Sequence, residues 1–304
     1  MKTCCAILLS VLVLFASCDL IGYHPYEGRM SGATGLTDTN IRRIEQWGRG
    51  RTDFRFAFIS DTQRNYDDTS DAVSYLNSRT DIDFVLHGGD LTDFGVTEEF
   101  VWMRKELLLL QCPWLTVIGN HDFLGHGEDI YRTIFGPYNY AFTVGNVRFE
   151  VINTVSLEVD YSVPVPDFGF LERELALIDS INTLCPDSIT HTVFMMHSRP
   201  FDDQFNNNVS VAFERYLTAF PGLGVDDPCL ADADRPQGCS EVDWQCLLGT
   251  RSRGFCLNGH NHHHQLYDLY GDGKLFYGVP NIHKRQLYVF TIHPDSYEYE
   301  CIDF

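Results

Sequence analysis

The chain has few basic residues. Lysine and arginine number 22 against 42 aspartates and glutamates, so the 304 residues carry a formal net charge of -20 at pH 7. This charge repels polyanions at long range and argues against general binding to nucleic acids or anionic membrane surfaces. Paired CxxC spacing, internal repeats and low-complexity tracts are also absent, which disfavours a structural zinc site and a repeat architecture. With 44% hydrophobic and 13% aromatic residues, the chain is not mainly disordered.

The amino terminus lacks an apolar run long enough to span a bilayer. Lys2 precedes a short apolar stretch from Ala6 to Ala16, which is the pattern of an export signal. The overlapping Leu14-Phe15-Ala16-Ser17-Cys18 resembles a bacterial lipoprotein lipobox. This resemblance implies a signal peptide at residues 1–17, lipidation of Cys18, and a tether with an N-terminal segment at residues 18–52. An ordinary cleaved signal peptide is the alternative. Both predict export, and the lipobox predicts a lipid-anchored protein of the cell envelope.

Export makes disulfides possible. Seven cysteines follow Cys18, and Cys229, Cys239 and Cys246 crowd into one stretch rich in glycine, proline and aspartate. A disulfide within that stretch is therefore plausible, but spacing alone does not fix which cysteines pair.

Strand and helix signals alternate after residue 52 and predict one domain over residues 53–304, with an aperiodic, cysteine-containing insert near 221–253. The predicted helices are Asn40–Trp47, Asp71–Ser78, Thr97–Leu110 and Phe168–Ile181. The predicted strands are Phe54–Ile59, Phe84–Leu86, Trp114–Ile118, Tyr140–Val144, Val147–Ile152, Thr192–Met196, Gln265–Tyr270, Lys274–Val279, Gln286–Ile292 and Tyr297–Ile302. The alternation predicts an α/β fold with a mainly parallel sheet, and the hairpin-rich tail predicts a second sheet packed on it.

Five polar motifs each follow a short apolar run. They are Asp61-Thr62-Gln63, Gly89-Asp90-Leu91-Thr92-Asp93, Gly119-Asn120-His121-Asp122, His197, and Gly259-His260-Asn261-His262. Open α/β sheets bind ligands beyond the carboxyl ends of their strands, so folding should bring these side chains into one pocket. Carboxylates, amides and imidazoles in that number suit two adjacent divalent metals and the hydrolysis of a phosphate ester.

The order of the motifs resembles that of the calcineurin-like metallophosphoesterase superfamily over approximately residues 53–293. The resemblance implies a four-layer α/β/β/α sandwich of two mixed sheets, with a two-metal site at the sheet edge. It implies that Asp90 bridges both metals. The remaining ligands are implied to be Asp61, Gln63 and His262 for the first metal, and Asn120, His197 and His260 for the second.

The resemblance also implies a catalytic pair. Water shared between two metals should ionise near neutral pH and attack phosphorus in line. His121 is implied to lie beside the scissile phosphate, where it stabilises charge or protonates the leaving oxygen. The side chain of Asp93 is implied to accept a hydrogen bond from His121 and to orient its ring.

Gln63 departs from the family pattern, in which histidine is usual. An amide oxygen is a neutral, hard ligand, so we expect the first site to be the weaker one and to favour Mn, Mg or Fe over Zn. The expected cofactors are thus two divalent ions from the set Mn, Fe, Mg and Zn.

Two arginines close to these motifs, Arg64 and Arg199, are candidates to bind substrate phosphate oxygens. Pairing with the many surface carboxylates is the alternative for both. The motifs do not distinguish a phosphomonoester from a phosphodiester, and no nucleic-acid partner is expected.

Two other functions are alternatives to phosphate-ester hydrolysis. A surface lipoprotein that binds without turnover would explain Gln63, but such a protein has no need of His121 and Asp93. A metallo-β-lactamase-like hydrolase requires a His-x-His-x-Asp-His block, which the sequence lacks.

Overall fold

The computed structural model describes residues 30–160, 163–223 and 254–304. The predicted signal peptide at 1–17, the predicted lipidation site Cys18, and residues 224–253 of the predicted insert, which include its three cysteines, lie outside the described residues. The cysteines within the described ranges, Cys112, Cys185, Cys256 and Cys301, are free thiols. No helix in these ranges has both the length and the apolar character needed to cross a membrane.

The first sheet has five strands in the order β11-β10-β1-β2-β3. Its strands are β1 (Phe54–Ile59), β2 (Phe84–His87), β3 (Trp114–Thr116), β10 (Gln286–Ile292) and β11 (Tyr297–Asp303). Strands β1, β2 and β3 are parallel, whereas β10 runs antiparallel to β1 and to β11. The three parallel strands therefore end at one edge, where the first three polar motifs begin.

The second sheet has six strands in the order β4-β5-β6-β7-β9-β8. These strands are β4 (Tyr140–Val144), β5 (Val147–Val151), β6 (His191–Met196), β7 (Phe255–Asn258), β8 (Gln265–Asp268) and β9 (Leu275–Gly278). The four central strands are parallel, and β4 and β8 close the two edges in antiparallel orientation. Strands β6 and β7 carry the last two motifs at their carboxyl ends.

Helices cover the outer face of each sheet. The helices are α1 (Leu36–Gly48), α2 (Tyr66–Ser78), α3 (Thr97–Leu107), α4 (Gly127–Ile134), α5 (Phe168–Leu184) and α6 (Ser210–Ala219). Buried side chains of α2, α3 and α4 pack on β1 and β2, and those of α5 and α6 pack on β6. Helix α1 lies over the domain through buried Leu36 and Ile44.

An aromatic layer fills the space between the two sheets. Phe56 stacks on Phe84 with ring centroids 5.3 Å apart, and Phe149 of the second sheet meets Phe56 edge-on at 5.5 Å. Such pairs stabilise a core by about 0.5–1.5 kcal/mol beyond the area that they bury. The layers therefore run helix, sheet, sheet, helix, and the predicted four-layer α/β/β/α fold of two mixed sheets is confirmed.

The carboxyl-terminal hairpins differ from the prediction. We expected the whole tail to form the second sheet, but only β8 and β9 join it, while β10 and β11 return to the first sheet. Tyr288 and Phe290 of β10 are fully buried in the layer between the sheets.

Several helices differ from the predicted ones. Helix α2 begins at Tyr66, ahead of the predicted Asp71, and α3 ends at Leu107 rather than Leu110. Val96, rather than the expected Thr97, occupies the N-cap position of α3, and Thr97 is the first residue of the helix. Helices α4 and α6 were not predicted.

Candidate metal centre

The motif residues lie in tight turns with unusual backbone conformations. Five non-glycine residues of these motifs adopt positive φ, namely Asp61 (54°), Gln63 (41°), Asp90 (55°), His260 (69°) and His262 (58°). A left-handed conformation at such residues costs on the order of 1–3 kcal/mol and persists where surrounding contacts enforce it. Two backbone hydrogen bonds do so here, from Asp61 N–H to the Gly89 carbonyl at 3.0 Å and from Gln63 N–H to the Asp90 carbonyl at 3.1 Å.

Two motif glycines allow these turns to approach one another. A Cβ at Gly119 would lie 2.2 Å from the Asp90 carboxylate, and a Cβ at Gly259 would lie 2.1 Å from the Ser60 hydroxyl and 2.8 Å from the Asp61 carboxylate. Real Cβ atoms do not come so close to other atoms. Glycine at both positions is thus required by packing around the acidic side chains.

The first group of candidate ligands contains two buried carboxylates and an imidazole. One ligand atom from each of Asp61, Asp90 and His262 lies within 4.8 Å of the others, and His262 Nε2 is 3.2 Å from Asp61 Oδ1. The Gln63 side chain reaches the same place, with its Nε2 at 3.4 Å from Asp90 Oδ2. The residues predicted for the first metal are therefore adjacent.

The second group lies on the other side of Asp90. The side-chain oxygen of Asn120 is 3.1 Å from His197 Nε2 and also 3.1 Å from His260 Nδ1. His197 Nε2 is 3.4 Å from Asp90 Oδ1. Asp90 thus contacts ligands of both groups, which is the position that a bridging carboxylate requires.

The outer nitrogens of the two imidazoles have hydrogen-bond acceptors. His197 Nδ1 lies 2.8 Å from the Gly88 carbonyl, and His260 Nε2 lies 2.7 Å from Asp203 Oδ1. Neither oxygen can donate, so each of these ring nitrogens carries the hydrogen. His197 Nε2 and His260 Nδ1 both face the Asn120 oxygen, and on losing their hydrogens they would present lone pairs toward the same place. Together with that oxygen they would suit a shared cation, and outer partners of this kind orient metal-binding histidines.

Electrostatics at the site favour positive charge. Burial opposes protonation of His197, but the charges of Asp90 and Asp61 outweigh it and raise the pKa of His197 to about 10. Burial likewise opposes ionisation of Asp90, but His197 and His121 lower the pKa of that carboxyl below its ordinary value. The Asp90 carboxyl thus favours its ionised form, which attracts a cation, and the residues fit divalent metal ions.

Asp122 ties the motif turns together, a role that the sequence did not reveal. Its carboxylate accepts hydrogen bonds from the main-chain N–H groups of Gly119 (3.0 Å), Leu91 (3.2 Å) and Thr92 (2.9 Å). Burial, followed by the nearby charge of Asp90, raises the pKa of Asp122 to about 7. Asp122 therefore holds the turn after β2 against the turn after β3.

The predicted pair of His121 and Asp93 is in contact, but through a different atom. His121 Nδ1 lies 2.8 Å from the main-chain carbonyl of Asp93, whereas the Asp93 carboxylate is 4.0 Å away. That carboxylate forms an ion pair with Arg64 instead. The expected hydrogen bond to the side chain is therefore replaced by one to the backbone. The main-chain N–H of His121 donates to Asp90 Oδ1 at 3.0 Å, which fixes the residue next to the ligands.

Both candidate phosphate-binding arginines are paired with carboxylates. Arg64 is 69% exposed and lies at the rim, over the Phe94 ring and against Asp93. Arg199 is buried, 3.5 Å from Asp202 and over the ring of Tyr267. Its Nε and Nη1 atoms have no hydrogen-bond partner among the described residues. Both arginines are therefore paired with carboxylates, as the alternative prediction held, although the pair formed by Arg199 is buried rather than at the surface.

Two other residues near the ligands were not predicted. Asp203 bonds His260, as described above, and Asp202 accepts a hydrogen bond from the Asn261 side chain at 2.8 Å. Both aspartates come from the loop after β6. No local pattern marks them, since only folding brings this loop against the His260 turn.

Comparison with known proteins identifies the class. Residues 54–226 match the family model described as calcineurin-like phosphoesterase. The chain is 21% identical over 217 residues to a probable cyclic nucleotide phosphodiesterase from Xenorhabdus bovienii, covering 66% of this chain and 86% of that protein. It is 31% identical over 98 residues to a probable glycerophosphodiester phosphodiesterase from Arcobacter nitrofigilis, covering 31% of this chain and 34% of the relative.

A solved structure supports the same fold. The purple acid phosphatase from yellow lupin (Lupinus luteus) seeds aligns with a TM-score of 0.50 and 16% identity, over 82% of this chain and 51% of that protein. The chain belongs to the calcineurin-like phosphoesterase family. It is a phosphoesterase, and its family implies divalent metal ions as cofactors.

Proposed function

We propose that this protein hydrolyses phosphodiesters at two divalent cations. The observation that carries the proposal is the position of Asp90, whose carboxylate contacts Gln63 on one side and His197 on the other. The cations would be held by Asp90 together with Asp61, Gln63 and His262 for one, and with Asn120, His197 and His260 for the other. When bound, such a pair acts as a Lewis acid on the phosphate oxygens and activates water for in-line attack.

A phosphodiester suits the site better than a phosphomonoester. A diester carries a single negative charge, whereas a monoester dianion requires more positive charge around its oxygens. Arg64 and Arg199 are each already paired with a carboxylate, so little unpaired positive charge is available from them. Both relatives described above are named as probable phosphodiesterases.

Gln63 bears on the identity of the first metal. Its side-chain amide lies beside the Asp90 carboxylate, and an amide oxygen is a hard, neutral ligand. With the carboxylates of Asp61 and Asp90 it would form an oxygen-rich set that favours Mn, Mg or Fe over Zn. His197 and His260 make the second set richer in nitrogen. We therefore propose a weaker first site and a tighter second site.

His121 is proposed as the acid that protonates the leaving oxygen. Its Nδ1 hydrogen is directed at the Asp93 carbonyl, so Nε2 is the nitrogen that can hold and release the transferable proton. The ring is 36% exposed, which leaves it accessible from the open side of the site. Asp93 contributes its carbonyl to the orientation of His121 and its carboxylate to Arg64.

The test combines metal analysis with turnover. Purified protein should bind two divalent ions and hydrolyse an aryl phosphodiester faster than the corresponding monoester under added Mn, Mg or Zn. The variant His121→Ala should keep both metals and lose about 100- to 10,000-fold in kcat. The surface variant His283→Ala serves as the matched control. Loss of both metals in His121→Ala would refute its role, and binding well below two metals without turnover would favour a non-catalytic binding protein.

We also propose export and lipid anchoring at Cys18, on the basis of the lipobox-like sequence at residues 14–18. Expression in a bacterial host should then yield protein in the membrane fraction, and Cys18→Ser should remove the lipid without affecting phosphodiester hydrolysis. Metabolic labelling with a fatty acid measures the difference. An unlabelled wild-type protein would contradict this proposal.

A further inference from the structure

Among the described residues, one cleft is lined by none of the candidate metal ligands. It has a volume of about 460 Å³ and is lined by residues 156–157, 159–160 and 163–165 on one side of the sequence and by residues 205–208 on the other. Its volume falls within the range of about 300–1,000 Å³ that is typical of small-molecule sites. We call it the loop cleft.

Short links connect the loop cleft to the metal centre. Asp203 bonds the candidate ligand His260 at 2.7 Å, and the cleft residue Asn206 follows Asp203 by only three positions. Because a residue spans at most about 3.6 Å, the two Cα atoms lie within roughly 11 Å of each other. The other loop is fixed to the same segment, since Ser156 N–H donates to the Gln204 carbonyl at 2.9 Å.

One wall of the loop cleft is apolar and accessible. Leu157 is 62% exposed and Val163 is 54% exposed. Both line the cleft together with Pro164, and buried Phe205 contributes a further apolar surface. Large exposed apolar side chains gathered at one place mark a surface that binds an apolar group.

The loop over residues 205–208 also offers amide groups to the cleft. Asn207 is fully engaged, because its side chain accepts from Phe201 N–H at 2.7 Å and donates to the Asp202 carbonyl at 2.9 Å. Asn206 accepts a hydrogen bond from the main-chain N–H of Asn208 at 3.3 Å. The side-chain amide of Asn208 forms no hydrogen bond within the described part of the chain, so its donor and acceptor are available to a ligand.

Charge narrows the class of ligand. The described residues that line the loop cleft include Asp160 and no lysine, arginine or histidine. A second phosphate or a carboxylate would find no positive partner there, and the net charge of -20 would oppose it. The group that binds is therefore not an anion.

We infer that the loop cleft binds the uncharged, ring-bearing alcohol of a phosphodiester, a group of nucleoside size with one apolar face and a hydrogen-bonding edge. The apolar face would pack on Leu157 and Val163, and the polar edge would meet Asn208. This inference rests on the proposed function, since the phosphate of the same molecule lies at the metal ligands.

The test compares two substrates that differ only in this group. The para-nitrophenyl phosphodiesters of thymidine and of methanol react with water to release the same para-nitrophenol, and each leaves a phosphomonoester. With added Mn, kcat/KM should be at least about tenfold higher for the thymidine ester. The variant Leu157→Glu should reduce this preference about tenfold, because it places a charge on the apolar wall. Leu184→Glu, an exposed leucine outside the cleft, should leave the preference unchanged.

The outcomes separate the inference from the proposed function. Equal kcat/KM for the two esters, or an equal loss for both in Leu157→Glu, would overturn the role of the loop cleft while leaving the phosphodiesterase intact. Failure to turn over either ester would refute the proposed function. Calorimetry with the thymidine ester then decides the inference, which requires binding that weakens in Leu157→Glu and persists in Leu184→Glu.

Discussion

Removal of the Asp203 carboxylate should weaken metal binding at the second site. Asp203 Oδ1 lies 2.7 Å from His260 Nε2, and this contact leaves Nδ1 as the ligand atom. In Asp203→Ala the His260 ring loses its outer partner, so it can rotate or carry its hydrogen on the wrong nitrogen. Loss of such an outer partner typically reduces metal affinity 10- to 100-fold.

The structure indicates the lower end of that range. The Asp203 side chain is 80% exposed while that of His260 is 17% exposed, so water can replace part of the lost hydrogen bond. We therefore expect a loss of about tenfold, or about 1.4 kcal/mol of binding free energy. The other site, which contains Asp61 and His262, should bind with unchanged affinity.

Isothermal titration calorimetry of metal-free protein with Mn measures both sites. Asp203→Ala should show one weakened and one unchanged binding event, whereas Asp179→Ala, an exposed aspartate on α5, should match wild type. The unfolding midpoint without metal should not change, because Asp203 buries little surface. Identical isotherms for Asp203→Ala and wild type would refute the argument that this carboxylate orients His260.

Two further predictions concern stability. Gly259→Ala should lower the free energy of unfolding by about 1–3 kcal/mol in urea denaturation, because its Cβ would lie 2.1 Å from the Ser60 hydroxyl; Gly169→Ala, which meets only flexible side-chain ends, should not. The second concerns Glu150, whose pKa is raised well above 4.5 by burial and by Glu174, against the effect of Arg148. The unfolded chain ionises this group at lower pH than the folded protein, so stability should fall as the pH rises above about 5. Glu150→Gln should flatten that slope and raise the free energy of unfolding by about 1 kcal/mol at pH 8. The exposed control Glu298→Gln should change neither quantity. An unchanged slope in Glu150→Gln would contradict this argument.

The sheets could be predicted from the sequence where apolar runs have clear ends. Strands β1, β4 and β10 match their predicted bounds because polar or turn residues flank each run. Helix α2 shows the opposite case, since its first turn, Tyr66-Asp67-Asp68, contains no apolar periodicity and depends on tertiary packing. The placement of β10 and β11 could not be predicted either, because an alternating aromatic strand fits either sheet equally well.

The proximity of the candidate ligands was predictable for a different reason. Each of them follows a strand within a few residues, so the strand order places Asp61, Asp90 and Asn120 at the edge of the first sheet, and His197 and His260 at the edge of the second. What the sequence could not indicate is which acceptor each side chain uses. His121 bonds the Asp93 carbonyl rather than its carboxylate because Arg64, close to Asp61 in sequence, already occupies that carboxylate.

The loop after β6 connects the candidate metal centre to the loop cleft. It begins at the ligand His197, passes Asp202 and Asp203, which hold the turn containing His260 and Asn261, and continues to Asn208 in the loop cleft. A ligand in the cleft and a metal at His260, as proposed above, would act on the same short segment. The hydrogen bonds of Asn207 to Phe201 and Asp202 tie the middle of this segment to its beginning. Under these proposals, substrate choice and metal affinity would both depend on one loop whose residues show no recognisable pattern in the sequence.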